Sequence, residues 1–196
     1  MAAIAYPAWY TLKSNLVAIL QAVATEEATI DAGRNFEVHA DRWRPWIENQ
    51  QSTAMVNVGV ETVEPGGGGS RRYKEDLVSV YVDMYALSTY QDQGGTLYPA
   101  DELAAKRLDL LTAQVRSALT RLANADFGFT SGTIGTGDVQ MALSLYSQER
   151  EEATGQYAPA RWTLQVKLPY VPLDSDTVDM TELNVDLQQF AVKFTF

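Results

Sequence analysis

Two runs of the sequence, 54–63 (AMVNVGVETV) and 77–87 (LVSVYVDMYAL), alternate apolar and polar residues so regularly that they constrain the fold more than any other feature. In the first, Val56, Val58, Val60 and Thr62 fall on one side of a pleated strand and Met55, Asn57, Gly59 and Glu61 on the other. In the second, Val78, Val80, Val82, Met84 and Ala86 oppose Ser79, Tyr81, Asp83 and Tyr85. A strand with one apolar face needs cover on that face only, which predicts an antiparallel sheet with helices on one side. The two runs match in pattern and length, so the simplest connection is one hairpin with a long tip. That tip lies within VEPGGGGSRRYKEDL, residues 63–77, where Gly66, Gly67, Gly68 and Gly69 precede Arg71, Arg72 and Lys74.

The helices that would cover the sheet are legible too. Over 11–27, Leu12, Leu16, Ile19, Leu20 and Val23 recur at helical spacing, with Lys13, Asn15 and Gln21 facing elsewhere. Over 99–124, Ala104, Leu108, Leu111, Val115, Ala118, Leu119 and Leu122 form one apolar stripe, and Lys106, Arg107, Arg116 and Arg121 keep to the remaining surface. Pro99, Asp101 and Glu102 suit the start of that helix, because proline there costs no hydrogen bond and the dipole favours negative charge. A short half-buried strand is expected over 35–42, with Phe36, Val38 and Ala40 opposite Glu37, His39 and Asp41. A second hairpin is expected from 139–147, where Val139, Met141, Leu143 and Leu145 share a face, and 161–168, where Trp162, Leu164, Val166 and Leu168 share one. The fold class is therefore α+β: a mainly antiparallel sheet, two helices packed on one face, a long hairpin loop, and a strand-like arm at the C-terminus.

Composition removes several function classes. With 46% hydrophobic and 20% charged residues, the 196-residue chain has the makings of a single core. One domain is expected over 1–172, followed over 173–196 by an acidic connection and an added strand or arm. A formal net charge of −10 disfavours a protein that grips nucleic-acid phosphates. There is no cysteine for a disulfide or a thiolate metal site. No run approaches the ~20 apolar residues of a membrane span, and the first residues lack a signal-peptide pattern, so no membrane association is expected and the protein is read as made and kept, or assembled, in the cytosol.

Chemistry is sparse. His39 is the only histidine, so any triad, multi-histidine metal site or general base would pass through one ring that alternation places on the polar side of a strand. Asp174, Asp176 and Asp179 are spaced like the start of a calcium loop. The sixth position, where glycine is needed, is Asp179, and the twelfth, where a glutamate is needed, is Val185, so a solvated acidic linker is the better reading. Glu149, Arg150, Glu151 and Glu152 read as a charged turn, with a paired-carboxylate hydrolase site as the minor alternative. The four glycines lack phosphate-loop spacing and lead into a strand, not a helix N-terminus. No catalytic residue, metal or cofactor is expected.

The order of these elements resembles that of the tail terminator proteins of long-tailed bacteriophages. The helix over 11–27, the pair AMVNVGVETV and LVSVYVDMYAL with its long loop, the helix DELAAKRLDLLTAQVRSALTRL, and the closing pair VQMALSLYS and RWTLQVKLPY carry the likeness, over roughly residues 11–172. TELNVDLQQFAVKFTF, at the end of the sequence, departs from the pattern. The resemblance implies a structural virion protein: a homohexameric ring that caps the tail tube, ends its polymerisation and offers a surface for head-tail joining, in contact with a tail tube protein and a head-completion or neck protein. DNA would pass the channel without specific binding, acidic protein meeting like-charged phosphate. The alternatives are another neck or head-tail connector protein, or a small monomeric binding module.

Three surfaces are expected to carry that role. Gly66 to Gly69 with Arg71, Arg72 and Lys74 form a docking arm for an acidic partner rim, since ordering a free loop requires a partner surface to return the lost entropy. Asn57, Glu61, Asp83, Gln140, Arg161, Gln165 and Lys167 line the sheet face that no predicted helix covers, an inter-subunit face. Phe190, Val192, Phe194 and Phe196 alternate with Ala191, Lys193 and Thr195 and give an inter-subunit arm, or otherwise a last strand of the home sheet.

Overall fold

The two alternating runs pair as an antiparallel hairpin of β2 (Ala54–Pro65) and β3 (Glu75–Leu87), and the rest of the chain is arranged around it. The structure, a computed structural model, describes residues 6–42, 53–65, 75–88, 91–93, 96–134, 137–145 and 157–169. The remaining described elements are α1 (Ala8–Ile30), β1 (Glu37–Ala40), β4 (Gln91–Gln93), β5 (Thr96–Tyr98), α2 (Ala100–Thr120), β6 (Val139–Leu145) and β7 (Tyr157–Pro169), with single 3-10 turns at Ala32–Arg34 and Leu122–Asn124. A five-stranded sheet runs β1-β2-β3-β7-β6, and β4 and β5 pair separately. The sheet is antiparallel except at one place: β1 runs parallel to β2, so it is mixed at that edge. The fold is α+β, two helices on a sheet. The boundary near residue 172 and the arm over 173–196 lie outside the described residues.

One face of β2, β3 and β7 is closed by the helices. Val56 and Val58, Val78, Val80, Val82 and Met84, and Trp162, Leu164, Val166 and Leu168 bury themselves against Leu12, Leu16, Leu20 and Val23 of α1 and Leu111, Val115 and Leu119 of α2. Each such side chain, fully removed from water, is worth about 1.5–3 kcal/mol, and this layer supplies the main driving force of the fold.

Three local departures from the expected pattern have physical causes. α1 starts earlier and ends later than 11–27, because Pro7 presets an N-terminal turn and helix continues until Asp31 turns extended. α2 stops at Thr120, short of 124: Arg121 leaves helical conformation, and the Asn124 amide donates to the Ala118 carbonyl at 2.7 Å, satisfying a group the helix end leaves open. Within β2 the register shifts between Val60 and Thr62, a bulge that brings Val63, not Thr62, opposite Val78. A single extra residue thus flips the face assignment of the last part of the strand.

Lys13, expected to face away from the core, is buried. Only 7% of it is exposed, and its ammonium pairs with the Asp41 carboxylate. Asp41 sits at φ 51°, in the left-handed region that aspartate tolerates better than most residues, and its N–H donates to the Val58 carbonyl where β1 ends. The long lysine stem crosses apolar surface while its charge finds a partner at the rim. The two helices are latched by a second polar group that periodicity hides. Glu27 Oε2 accepts from Gln114 Nε2 at 2.8 Å and from Arg34 Nε at 2.6 Å, and Arg121 donates to Glu26 at 2.6 Å. The bond from Gln114, then the Arg34 guanidinium, hold the Glu27 carboxyl below its usual range against the opposing effect of burial.

Candidate interaction surfaces

The face of the sheet away from the helices is polar, as alternation predicts, but its centre is closed. Across the strands, His39, Asn57, Asp83, Arg161 and Ser144 stand in one row. Asn57 is 3% exposed and Asp83 7%, which corrects the expectation that both lie open for a neighbouring subunit. Asn57 accepts from the Arg42 backbone N–H at 2.8 Å and donates to the Arg42 carbonyl at 3.0 Å, so its amide pins the chain leaving β1 onto the sheet. Asp83 takes a bidentate pair from Arg161, Nε at 2.5 Å and a terminal nitrogen at 2.9 Å, and a third bond from the Tyr85 hydroxyl at 3.2 Å.

Aromatic packing completes this closure. The Arg161 guanidinium lies 4.6 Å from the centre of the Tyr81 ring, which in turn rests on Gly59. A Cβ at position 59 would stand 2.1 Å from the Tyr81 hydroxyl oxygen, so glycine here allows the ring to approach the strand. Burial, and then the Asp83 carboxylate, push the Tyr81 phenol above its usual range. His39 is half-buried beside Glu37, 3.1 Å away, and Arg42, 2.8 Å away: its ring nitrogen accepts from the guanidinium in one tautomer and donates to the carboxylate in the other.

The outer part of the face remains open. Glu61, at the bulge, is exposed and lies 3.7 Å from Arg161; Gln140 and Gln165 are exposed register partners; Lys167 is exposed, 3.8 Å from Asp138. Of the seven residues predicted there, Asp83 and Arg161 form one network, Glu61 touches its margin, Asn57 stands beside it in register but bonds to the Arg42 backbone, and Gln140, Gln165 and Lys167 stand apart from it. Gly66 to Gly69, Arg71, Arg72 and Lys74 lie outside the described residues, as do Phe190, Val192, Phe194 and Phe196. The stem from which the loop departs is described: pairing of β2 with β3 continues to Pro65 and Asp76, with residues 61–65 exposed on the β2 side and Asp76 and Leu77 half-buried on the β3 side.

The surface that sequence reasoning missed is β6. Met141, Leu143 and Leu145 point to the helix-covered side, opposite Leu164, Trp162 and Ala160, and were expected to be core. They are 38%, 38% and 64% exposed, because α1 and α2 lie over β1, β2, β3 and β7 and stop short of this strand. Among the described residues β6 pairs with β7 alone, and no described strand lies along its other edge. A smaller exposed apolar site, Tyr6 stacked on Tyr10 at 4.4 Å, lies at the start of α1.

Among the described residues no group of three or more His, Cys, Asp or Glu is placed to hold a metal ion, and no helix is long and apolar enough to cross a membrane. In comparisons with known proteins, no family model and no curated protein matches the chain.

Proposed function

We propose that this chain is a structural protein of the phage virion, a subunit of a closed, hexameric ring that caps the tail tube, ends its polymerisation and presents a surface for head-tail joining. The observation that carries the reading is the one-sided architecture: a sheet whose helices leave an apolar, uncharged edge strand in water. An edge of that kind is a template for pairing with another chain, and proteins that stay monomeric guard against it. Heterologous contacts of such an edge close into rings when the rotation between subunits allows. The element order that resembles tail terminators, and the formal charge of −10, which lets DNA pass a channel without adhering, agree with it. In this reading the exposed β2–β3 stem holds the tip with Arg71, Arg72 and Lys74 towards the tube or neck partner.

The test is tube growth. Added to assembling tail tubes of the phage that encodes it, the protein stops elongation and decorates one tube end in electron micrographs. Exchanging Arg71, Arg72 and Lys74 for alanine keeps the ring and reduces capping or neck joining, more so at higher salt. Tubes that elongate at the same rate with undecorated ends contradict the proposal.

A further inference from the structure

We infer that the open edge of β6 is the acceptor for the chain's own C-terminal residues 188–196, donated by the neighbouring subunit of the ring, so that each copy completes the sheet of the next. The identity of the donor rests on the ring reading above; the choice of acceptor rests on the strand itself.

Three observations lead to β6. Its sequence, VQMALSL, contains no charge and no proline, the residues with which edge strands normally discourage pairing. Its apolar side chains Met141, Leu143 and Leu145 continue the helix-side face beyond Trp162 and Leu164 into solvent, so one side of the strand is an unfinished piece of core. The opposite edge of the sheet offers nothing comparable: β1 is only four residues long and carries Glu37 and His39 next to Arg42.

The C-terminal segment complements β6 in period and polarity. Phe190, Val192, Phe194 and Phe196 repeat at the two-residue period of Met141, Leu143 and Leu145, so a strand laid along β6 sets apolar side chains beside apolar ones, with Ala191, Lys193 and Thr195 on the polar face. The single charge of that segment, Lys193, falls on the face that already carries Gln140 and Ser144. Residues 170–187 can span up to about 60 Å at about 3.3 Å per residue, more than twice the roughly 24 Å length of β6. A strand passed one way from each copy to the next is a heterologous contact, the kind that closes a ring.

The chain has no cysteine, so an introduced pair reports alone. Ala142→Cys, on the exposed polar side of β6, is combined in turn with Ala191→Cys, Lys193→Cys and Thr195→Cys, and the full-length protein is oxidised under mild conditions. The expected result is a ladder of dimers up to hexamers on non-reducing denaturing gels that collapses to monomer on reduction, strongest for one of the three registers, with neither single-cysteine variant giving more than dimers. Cross-linking confined to monomers overturns donation by the neighbour. No cross-link in any register, with a ring mass retained, overturns the acceptor and leaves the proposed function standing; no cross-link and only monomer mass overturns both. As a second readout, deletion of residues 183–196 reduces ring formation at least tenfold while the monomer keeps its cooperative melt; a deletion variant that loses its melt shows the segment to be part of its own subunit's sheet and overturns the inference.

Discussion

The two edges of the sheet solve the same physical problem in opposite ways. At one edge β1 is short, runs parallel to its neighbour, carries Glu37 and His39, and is followed by a left-handed Asp41 whose carboxylate holds the buried Lys13. The chain beyond it is tied down by Asn57. At the other edge β6 is longer, neutral, and exposes three apolar side chains next to a row of backbone groups that no described strand pairs with. Polar chemistry finishes the first edge within the chain, whereas the second is left apolar and unpaired among the described residues. Alternation alone does not separate the two cases, because what decides is how far the helices extend over the strand.

The sharpest contrast comes from neighbours across that boundary. Met141 and Leu164 are register partners, yet only Leu164 is fully buried. Leu164→Ala is expected to cost about 2–5 kcal/mol of folding stability in urea denaturation, transfer and cavity effects together. Met141→Ala should stay within about 0.5 kcal/mol in the isolated subunit. Equal losses at both positions would mean that β6 is already part of a finished core, and the contrast between the edges would collapse.

On the β1 side, Asn57→Ala removes both bonds to the Arg42 backbone and leaves those groups unpaired, at an expected cost of about 1–3 kcal/mol. The loss should be accompanied by faster amide exchange of Arg42, since its N–H is the group released. A variant as stable as the parent would show that the β1 edge is not anchored by this side chain.

The Glu27 latch between the helices makes stability depend on pH. Its carboxyl titrates lower in the folded state than in the unfolded chain, so the unfolded state binds the extra proton as pH falls. The stabilisation is fully present above the ordinary carboxylate pKa of about 4.5 and is lost as pH drops through the lower, folded value. Glu27→Gln should therefore flatten the acid limb of the stability profile and leave the shape of the profile above pH 6 unchanged. An acid limb identical to the parent's would assign that pH dependence to other carboxylates.

The smallest effect on folding and the largest on assembly should coincide in Leu143→Lys. At a position open to solvent in the single subunit it should change stability by about 0.5 kcal/mol or less. A charge on the edge strand should nevertheless suppress self-association in sedimentation experiments. Undiminished association would remove β6 from the interface.

Much of this was legible in the residues. The β2–β3 hairpin, both helices and the β6–β7 hairpin follow from period-two and helical patterns alone, because each strand of the sheet centre is buried on one face against a helix stripe. What escaped the pattern was non-local. The parallel pairing of β1 depends on how the chain returns to the sheet, and the flip at Val63 depends on one bulged residue. Burial of Lys13 and Gln114 depends on partners 28 and 87 residues away in sequence, Asp41 and Glu27. The polar face was read correctly as polar and wrongly as open at Asn57 and Asp83, since a carboxylate satisfied by Arg161 and a carboxylate facing water have the same period. Gly59 in the middle of a strand was the available sign that something packs closely there. Exposure of Met141, Leu143 and Leu145 had no local sign at all, because it is set by where α2 stops covering the sheet.

Native mass spectrometry of the chain over rising concentration, alone and with tail tubes, measures self-assembly directly. A closed species of about six times the 21.7 kDa chain mass is expected, in solution at high concentration or on the tubes. A monomer at every concentration and in the presence of tubes would contradict it.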